Sequence, residues 1–207
     1  MNEQEWLDKR QNAITGSGAS AVMGLNPYMS RGEYWEILTG RKERKDLSGN
    51  PAVEYGKAAE SHIIELFKLD NQHLRVAHKD YDLRKHPKYD FLLGSLDAVA
   101  DSEEGKKFVV EIKTTTVNSG VAIKAWDNKI PVNYFYQCLH YLLVTGYDGA
   151  ILKALIKLGW KDESIIRQYE FSRKSVQPMI DELLDTELIF WHDHVVKDVR
   201  PNEIINF

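Results

Sequence analysis

The sequence predicts an α/β fold with a central mixed β-sheet flanked by helices. Segments with the alternating or continuous apolar residues of strands lie between longer segments with the apolar spacing of helices. The predicted order is helices, a group of strands, a helix, two further strands and a last helix, which favours one sheet covered by helices. The 207 residues suffice for one sizeable core, and neither a linker nor an internal repeat divides the chain.

Composition and charge narrow the class of protein. An apolar share of 43% and a charged share of 28% are ordinary for a soluble globular protein. The single cysteine, Cys138, excludes an internal disulfide and a cysteine-ligated zinc or iron–sulfur site within one chain. The formal net charge of −4 does not by itself indicate nucleic-acid binding, but it is compatible with a basic channel on an acidic protein.

Location and membrane contact follow from two further features. No apolar run approaches the length of a membrane span, and the charged N-terminal segment lacks the apolar centre of a signal peptide. We therefore expect a cytoplasmic protein without a membrane partner. His192 and His194 are two apart on a predicted helix and face different sides, so we do not expect them to be metal ligands.

The first elements are predicted to be short helices. Residues 4–12 form one, with Trp6 and Arg10 on the same face. Ser17 is a plausible N-cap for a second helix over residues 18–23. A glycine-bearing helix start can bind phosphate through its backbone N–H groups, and Arg10 and Ser17 would add side-chain donors. An ordinary capped helix is the more frequent meaning of such a pattern.

A third and a longer fourth helix follow. Ser30 is expected to cap a helix that runs through Leu38. Residues 39–50 form a charged loop. Its basic cluster could contact a phosphate backbone, but a solvated loop is the more frequent meaning of such a pattern. The pair Asn50-Pro51 supplies the N-cap and first turn of a helix to about residue 69, which carries Glu60 near its middle.

The strands come next and hold the main candidate site. Residues 73–85 are predicted to form one or two strands, and residues 91–100 and 108–115 form two more, joined by a polar turn. Ser95 and Asp97 share a face because side chains two apart on a strand point the same way. By the same rule Glu111 and Lys113 share a face, while Ile112 and Val110 point to the other.

The C-terminal part completes the α/β pattern. Pro131 opens a helix that Gly146 closes, and this helix carries Gln137 and Tyr141 four apart on one face. Residues 149–159 and 165–171 are two strands, expected to form a hairpin. A final amphipathic helix is predicted over residues 174–196.

The charged residues on the two adjacent strands have a chemical use. Two carboxylates with further oxygen donors suit Mg²⁺ or Mn²⁺. A lysine beside such ions can orient a water or offset charge that develops on phosphorus, as in metal-assisted phosphodiester hydrolysis. The alternative is a solvated strand face with a weak cross-strand ion pair. The apolar neighbours of Glu111 and Lys113 favour the first interpretation, because burying charge is costly.

These motifs resemble a known superfamily. Asp97, followed on the next strand by Glu-Ile-Lys at 111–113, resembles the core of PD-(D/E)XK nucleases. The preceding helix with Glu60 and the following helix with Gln137 and Tyr141 are similar to those of RecB-like and phage-type exonucleases. The proline of the superfamily motif is replaced by Leu96, a common relaxation in this branch. The iron–sulfur members of the branch use four cysteines, so that subgroup is excluded.

The N-terminal segment narrows the resemblance further. Trp6, Arg10, Ile14, Thr15 and Ser17 are similar to the start of the lambda exonuclease or YqaJ viral recombinase family. The similarity covers about two-thirds of the chain. We therefore expect a single exonuclease domain over residues 1–207, with its motifs within 6–145 and with the C-terminal hairpin and helix, 149–197, in the same domain.

The resemblance implies roles for individual residues. Asp97 and Glu111 would bind the metal ions, together with the backbone carbonyl of Ile112. Glu60 would assist at the metal site directly or through water, and Lys113 would orient or activate the attacking water. Gln137 would hold the catalytic site or the nearby DNA backbone. Tyr141 would support Gln137, and Trp6 is a further supporting residue. A pocket for the 5′-phosphate would consist of Arg10, Ser17 and Ser95.

The resemblance also implies an activity and partners for this chain. Family members are Mg²⁺-dependent 5′→3′ exonucleases that act on duplex DNA ends with two ions per active site, and Mn²⁺ can replace Mg²⁺. They release mononucleotides and leave 3′ single strands for a phage single-strand annealing protein. The lambda type assembles as a ring-shaped trimer. A phage- or prophage-encoded protein in the bacterial cytoplasm is the implied setting.

Other functions remain open at this point. A restriction-type endonuclease would use the same chemistry but would also cut closed circular DNA. A DNA-end-binding recombination protein without catalysis is a third possibility, although the intact Asp97, Glu111 and Lys113 argue against it. A small α/β domain with a solvated charged strand would leave the N-terminal and Gln-x-x-x-Tyr matches unexplained.

Overall fold

A computed structural model describes residues 1–203. The chain forms seven α-helices and six strands within those residues. The helices are α1 Glu3–Gln11, α2 Gly16–Val22, α3 Arg31–Leu38, α4 Pro51–Asp70, α5 Gly120–Lys124, α6 Val132–Thr145 and α7 Gln177–Ile189. The strands are β1 Ile14–Thr15, β2 Leu74–Lys85, β3 Leu92–Ser102, β4 Lys107–Val117, β5 Gly149–Leu158 and β6 Glu163–Ser172. The expected domain end at residue 207 lies outside the described residues.

The strands form one mixed sheet, as predicted. Its order is β1-β3-β4-β5-β6, and β2 also pairs with β3. β4 and β5 are parallel along their whole length, from Phe108 opposite Gly149 to Val117 opposite Leu158. β5 and β6 are antiparallel, which confirms the C-terminal hairpin. The parallel pair requires a crossover, and α6 lies within that connection.

Helices cover both faces of the sheet. On one face, α6 and α7 bury Leu139, Leu142 and Leu183 completely. On the other, α4 buries Phe67 in a second apolar cluster that includes Ile112. Burying one such side chain stabilises the fold by about 1.5–3 kcal/mol, so these contacts hold α4 and α6 against the sheet.

Capping residues explain why the ends of three helices could be predicted from the sequence. The side chain of Asn50 accepts a hydrogen bond from the Ala52 N–H, and Pro51 follows it in the first turn, as expected for the start of α4. Ser30 caps α3 in the same way. α6 ends at Gly146, whose φ of 70° lies in the left-handed region that glycine adopts without strain.

One predicted detail is wrong, and in another the extent of the helix agrees with the structure but its type differs. The second helix begins at Gly16, because Thr15 is extended with φ −121° and ψ 162° and the helix follows it directly. Ser17 is therefore not the N-cap and lies in the first turn. The final helix is not uniform: α7 is preceded by a 3₁₀ turn, Arg173–Val176, and followed by a π-helical segment, Phe190–Val196.

A last observation concerns membranes. Within residues 1–203, none of the helices combines the length and the apolar character needed to cross a bilayer.

Candidate active site

The site lies where β3 and β4 separate. One edge of β3 pairs with β2, and its other edge pairs with β1 at its start and with β4 at its end. The β3–β4 ladder runs only from Asp101 opposite Lys107 to Ala98 opposite Val110. Residues 94–97 of β3 therefore have no paired strand on this edge, and the sheet is open beside them.

Asp97 is the side chain that bridges this opening. Its Oδ2 accepts a hydrogen bond of 2.8 Å from the backbone N–H of Ile112 on β4. The bond continues the connection between the strands after the ladder ends. It also fixes the Asp97 carboxylate beside the Glu-Ile-Lys segment at 111–113, so the clustering expected from the sequence is present.

A bulge in β2 supports Asp97 from the opposite edge of β3. The register passes from His78 opposite Ala98 to Asp82 opposite Leu96, so residues 79–81 lie opposite Asp97 alone. The His78 Nδ1 lies 2.5 Å from the Asp97 carbonyl oxygen, which can only accept, so this nitrogen carries the proton. Sequence reasoning missed His78. The polar run that interrupts the apolar alternation of β2 was the available signal.

Glu111 is a buried carboxylate with an unsatisfied oxygen. The residue is 1% exposed, and its Oε1 accepts from Gln137 Nε2 at 2.7 Å and forms an ion pair with Lys113. Its Oε2 is buried and has no hydrogen-bond partner among the described residues. An unsatisfied buried carboxylate oxygen is costly, which suggests that a further ligand belongs there.

The pKa values of Glu111 and Lys113 also indicate that a further ligand belongs at this site. Burial first, and then the negative charge of Asp97, raise the pKa of Glu111 to about 8. Burial alone would lower the pKa of Lys113, but Glu111 and Asp97 outweigh it and raise that pKa. The Lys113 ammonium therefore stays protonated, and it also lies 5.4 Å from the centre of the Tyr134 ring. The raised pKa of Glu111 means that this carboxyl is hard to ionise beside Asp97 even with Lys113 present, and a further cation would favour its charged form.

Glu60 approaches the same centre from α4. It is half-buried, and burial together with the charge of Asp97 raises its pKa to about 7. Within residues 1–203 its carboxylate makes no hydrogen bond to Asp97 or Glu111. The structure thus brings Glu60 near the site without placing it in direct contact with the two carboxylates.

Gln137 and Tyr141 connect the site to the start of α2. Gln137 Nε2 donates to Glu111 and, at 2.8 Å, to the hydroxyl of Tyr141, as expected for residues four apart on α6. The Tyr141 ring packs on Gly16 so closely that a Cβ there would lie 2.4 Å from it. A glycine is therefore needed at this point, and Ser17 follows it with an exposed side chain.

The other candidate phosphate ligands form a second group. The Trp6 Nε1–H donates to Ser95 Oγ at 2.9 Å, and the Arg10 guanidinium lies 3.9 Å from the centre of the Trp6 ring. The Tyr81 ring, from the β2 bulge, contacts Trp6 at 5.7 Å between centroids. Ser17 belongs to this region through α2 but makes no direct contact with Arg10 or Ser95 within residues 1–203. Its Oγ lies 3.3 Å from Thr15 Oγ1.

The donor set fits a hard divalent cation. Asp97 and Glu111 supply oxygen ligands, and the unpaired Glu111 Oε2 is an acceptor without a donor. No group of three or more His, Cys, Asp or Glu side chains in the described part of the chain is arranged to hold a metal. A bound ion would therefore complete its shell with backbone oxygen and water, as Mg²⁺ commonly does.

Comparisons with known proteins agree with this fold. The chain is 33% identical over 207 residues to the uncharacterized protein YqaJ of Bacillus subtilis strain 168, an alignment that covers 97% of this chain and 59% of that relative. The chain thus spans about three-fifths of the length of the curated relative that it matches.

Solved structures show the same architecture. An alkaline exonuclease from Laribacter hongkongensis superposes with a TM-score of 0.70 at 20% identity and covers 95% of this chain and 94% of its own. A phage-related exonuclease from Haemophilus somnus 129PT gives a TM-score of 0.54 at 13% identity, with 90% and 96% covered. The chain has the PD-(D/E)XK nuclease-like fold that the sequence predicted.

The amino-acid sequence of the chain also matches the model of a protein family. Residues 5–148 match the model of the YqaJ-like viral recombinase domain. This range includes every residue discussed at the opening of the sheet and at the Trp6–Arg10 group. The chain belongs to the YqaJ-like viral recombinase family.

Proposed function

We propose that this chain is a metal-dependent 5′→3′ exonuclease. It would degrade one strand of linear duplex DNA to mononucleotides and leave 3′ single strands for phage-type recombination by strand annealing. The observation that carries the proposal is the convergence of Asp97, Glu111 and Lys113 at the opening of the sheet, with one Glu111 oxygen unpaired. Family membership and the nuclease-like fold support it.

The metal proposed is Mg²⁺, with Mn²⁺ as a substitute and two ions per site. Asp97, Glu111 and the Ile112 carbonyl would hold it, and Glu60 would assist directly or through water. When bound, such ions activate water and stabilise charge on a transferring phosphoryl group. Burial first, and then the charge of Asp97, raise the pKa of Glu111, and a cation would favour the ionised form of that carboxyl.

The protein's own groups have defined tasks in this reaction. Lys113, kept protonated by Glu111 and Asp97, orients the attacking water and offsets negative charge that develops on the phosphate oxygens. Gln137 holds Glu111 in place through its 2.7 Å hydrogen bond, and Tyr141 holds Gln137. His78 and the Ile112 N–H hold Asp97 from opposite edges of β3.

The 5′-phosphate of the DNA end would bind at Arg10, Ser17 and Ser95. The Ser95 oxygen already accepts a hydrogen bond from Trp6, so its own O–H is available to a phosphate oxygen. The Arg10 face rests on Trp6, and its N–H groups make no hydrogen bond within residues 1–203. Such a guanidinium suits bidentate phosphate binding.

The proposal extends to the wider setting. Residues 1–207 would act as one exonuclease domain in the bacterial cytoplasm. A ring-shaped homotrimer around DNA and a phage annealing protein are the partners that the family resemblance suggests. Sedimentation of the protein with and without duplex DNA tests the assembly, because a monomer in both conditions contradicts the ring.

The function is tested with linear duplex DNA and a closed circle, each incubated with the protein and Mg²⁺. Loss of the linear DNA alone supports the exonuclease, because an exonuclease needs an end. Cutting of the circle favours a restriction-type endonuclease instead. Binding to ends without cutting of either substrate favours a non-catalytic recombination protein.

A further inference from the structure

The charged loop at residues 39–50 places one arginine against the Trp6–Arg10 group. Arg44 Nη2 donates a hydrogen bond of 3.1 Å to the backbone carbonyl of Arg10, at the end of α1. The loop is solvated, as the sequence predicts, but this contact holds the Arg44 guanidinium against the backbone of Arg10. Arg44 did not stand out in the sequence because it lies among other basic residues.

Two of the other basic side chains of the loop are already paired with carboxylates, whereas Lys45 forms no ion pair within residues 1–203. Arg41 pairs with Asp198, and Lys42 pairs with Glu33, each at 2.6 Å. Arg10 and Arg44 form no ion pair with any acidic side chain in residues 1–203. Two adjacent cations without a counter-ion repel each other, and a bound anion would remove that repulsion.

The positive charges of the two arginines act on a tyrosine that contacts the residue before α2. The buried Tyr34 hydroxyl lies 3.3 Å from the Thr15 backbone nitrogen. Burial raises the pKa of Tyr34, and the nearby positive charge of Arg44 acts against that rise. Burial lowers the pKa of Arg10, and the charge of Arg44 lowers it further. The hydrogen bond to Arg10 places Arg44 at the end of α1, and its charge acts on both Arg10 and Tyr34, the residue whose hydroxyl contacts Thr15 before α2.

We propose that Arg44 is a second arginine of the 5′-phosphate pocket, and that the paired guanidinium groups select a terminal phosphate monoester over an internal phosphodiester. This inference rests on the proposed function and adds a specificity-determining residue to it. Lys113 and the carboxylate pair remain responsible for hydrolysis.

Charge provides the reason for the selectivity. A phosphate monoester carries about −1.5 to −2 charges at pH 7, whereas a phosphodiester carries about one. Two unpaired guanidinium groups match the monoester, and each can donate two parallel N–H bonds to phosphate oxygens. A 5′-hydroxyl end lacks this dianion, so it gains little from the second arginine.

The test measures binding without catalysis. Fluorescence anisotropy in EDTA compares duplexes that differ only in a 5′-phosphate or a 5′-hydroxyl. Arg44→Ala should weaken binding of the 5′-phosphate end about 10- to 100-fold, the range expected for loss of charge-assisted hydrogen bonds, and change the 5′-hydroxyl end by less than about threefold. Arg44→Lys should recover part of the loss, because it keeps the charge but lacks the planar fork.

Two controls sharpen the result. Lys45→Ala removes the same charge from the neighbouring position and should leave the preference for the 5′-phosphate unchanged. The double variant Arg10→Ala/Arg44→Ala should lose less than the sum of the single losses, because both side chains would contact one phosphate. Additive losses would mean that they contact different phosphates and would overturn the inference.

The outcomes separate this inference from the proposed function. Equal weakening of both ends by Arg44→Ala, or no weakening, overturns the role of Arg44 even if the protein digests DNA. If the wild-type protein cuts no DNA but still prefers the 5′-phosphate end, and Arg44→Ala removes that preference, the exonuclease proposal is wrong and the role of Arg44 is supported.

Discussion

At the scale of single residues, the site is a small set of charges that only partly balance. Glu111 is buried, has one unpaired oxygen and faces Asp97 across the opening of the sheet. Lys113 offsets one negative charge and stays protonated. Buried, partly unsatisfied carboxyl groups with raised pKa values are expected where a cation must be bound, and they distinguish this patch from a solvated strand face.

Lys113 should be needed for chemistry more than for folding. We expect Lys113→Ala to lower kcat at least about 10³-fold, within the range for lost proton transfer and charge stabilisation, because no other cation contacts Glu111 in the described chain. The thermal midpoint should change by only a few degrees, since the side chain is partly exposed. Substantial Mg²⁺-dependent cleavage by this variant would contradict its assignment.

Asp97 should couple metal binding to activity. Asp97→Ala should abolish both heat release on titration with Mg²⁺ and DNA cleavage, because Asp97 would be a direct ligand. Asp97→Asn is the matched control for structure, since its amide oxygen can still accept from the Ile112 N–H. It should fold like the wild type and remain inactive. Unchanged metal affinity in Asp97→Ala would argue against the role.

His78 should act as a positioning residue. Loss of its hydrogen bond to the Asp97 carbonyl should let that residue shift, so we expect His78→Ala to lower kcat about tenfold with little change in KM. His78→Asn should restore activity, because its amide can donate to the same carbonyl, and Lys79→Ala serves as a neighbouring control. Equal activity of His78→Ala and the wild type would limit His78 to a structural role.

At the scale of elements, a buried pair links α6 to α7 behind the site. His140 Nε2 donates to the Leu93 carbonyl at 3.1 Å, so Nδ1, 2.7 Å from Glu187, shares one proton with that carboxylate. Burial alone would lower the pKa of His140, but Glu187 and the Leu93 carbonyl outweigh it and raise that pKa. The pair therefore contributes to stability in a pH-dependent way.

The raised pKa of His140 determines how the stability contributed by this pair changes with pH. The stabilisation is full below the unfolded-state pKa, about 6.5, and is lost as pH rises through the folded-state pKa. Glu187→Gln should lower the free energy of unfolding by about 3–5 kcal/mol near pH 6, and by progressively less as pH rises. Urea titrations across that range measure the difference. A loss independent of pH would contradict the shared proton.

Local chemistry explains which elements could be predicted. Asn50-Pro51, Ser30 and Gly146 fixed the ends of three helices, because their capping preferences depend on neighbouring residues alone. The start of α2 was misplaced because its N-cap, Thr15, makes no side-chain capping hydrogen bond, so the local pattern favoured Ser17 instead. The β2 bulge and its His78 contact depend on the pairing register, which no local pattern specifies.

At the scale of the whole molecule, the sheet is the frame that gathers distant residues. Trp6 meets Ser95, 89 positions away, and Gln137 meets Glu111, 26 positions away. The order of the motifs along the sequence predicted which residues form the catalytic site. The contact of Arg44 with Arg10 became visible only in the folded chain.

The most direct test of the exonuclease follows the polarity of digestion. A linear duplex with a 5′-phosphate and labelled nucleotides near the 5′ or the 3′ end of one strand is incubated with the protein and Mg²⁺. The account predicts labelled mononucleotides first from the 5′ end, an intact complementary 3′ strand, and no release by Asp97→Asn. Earlier release from the 3′ end, or cleavage of a closed circle at a similar rate, would contradict it.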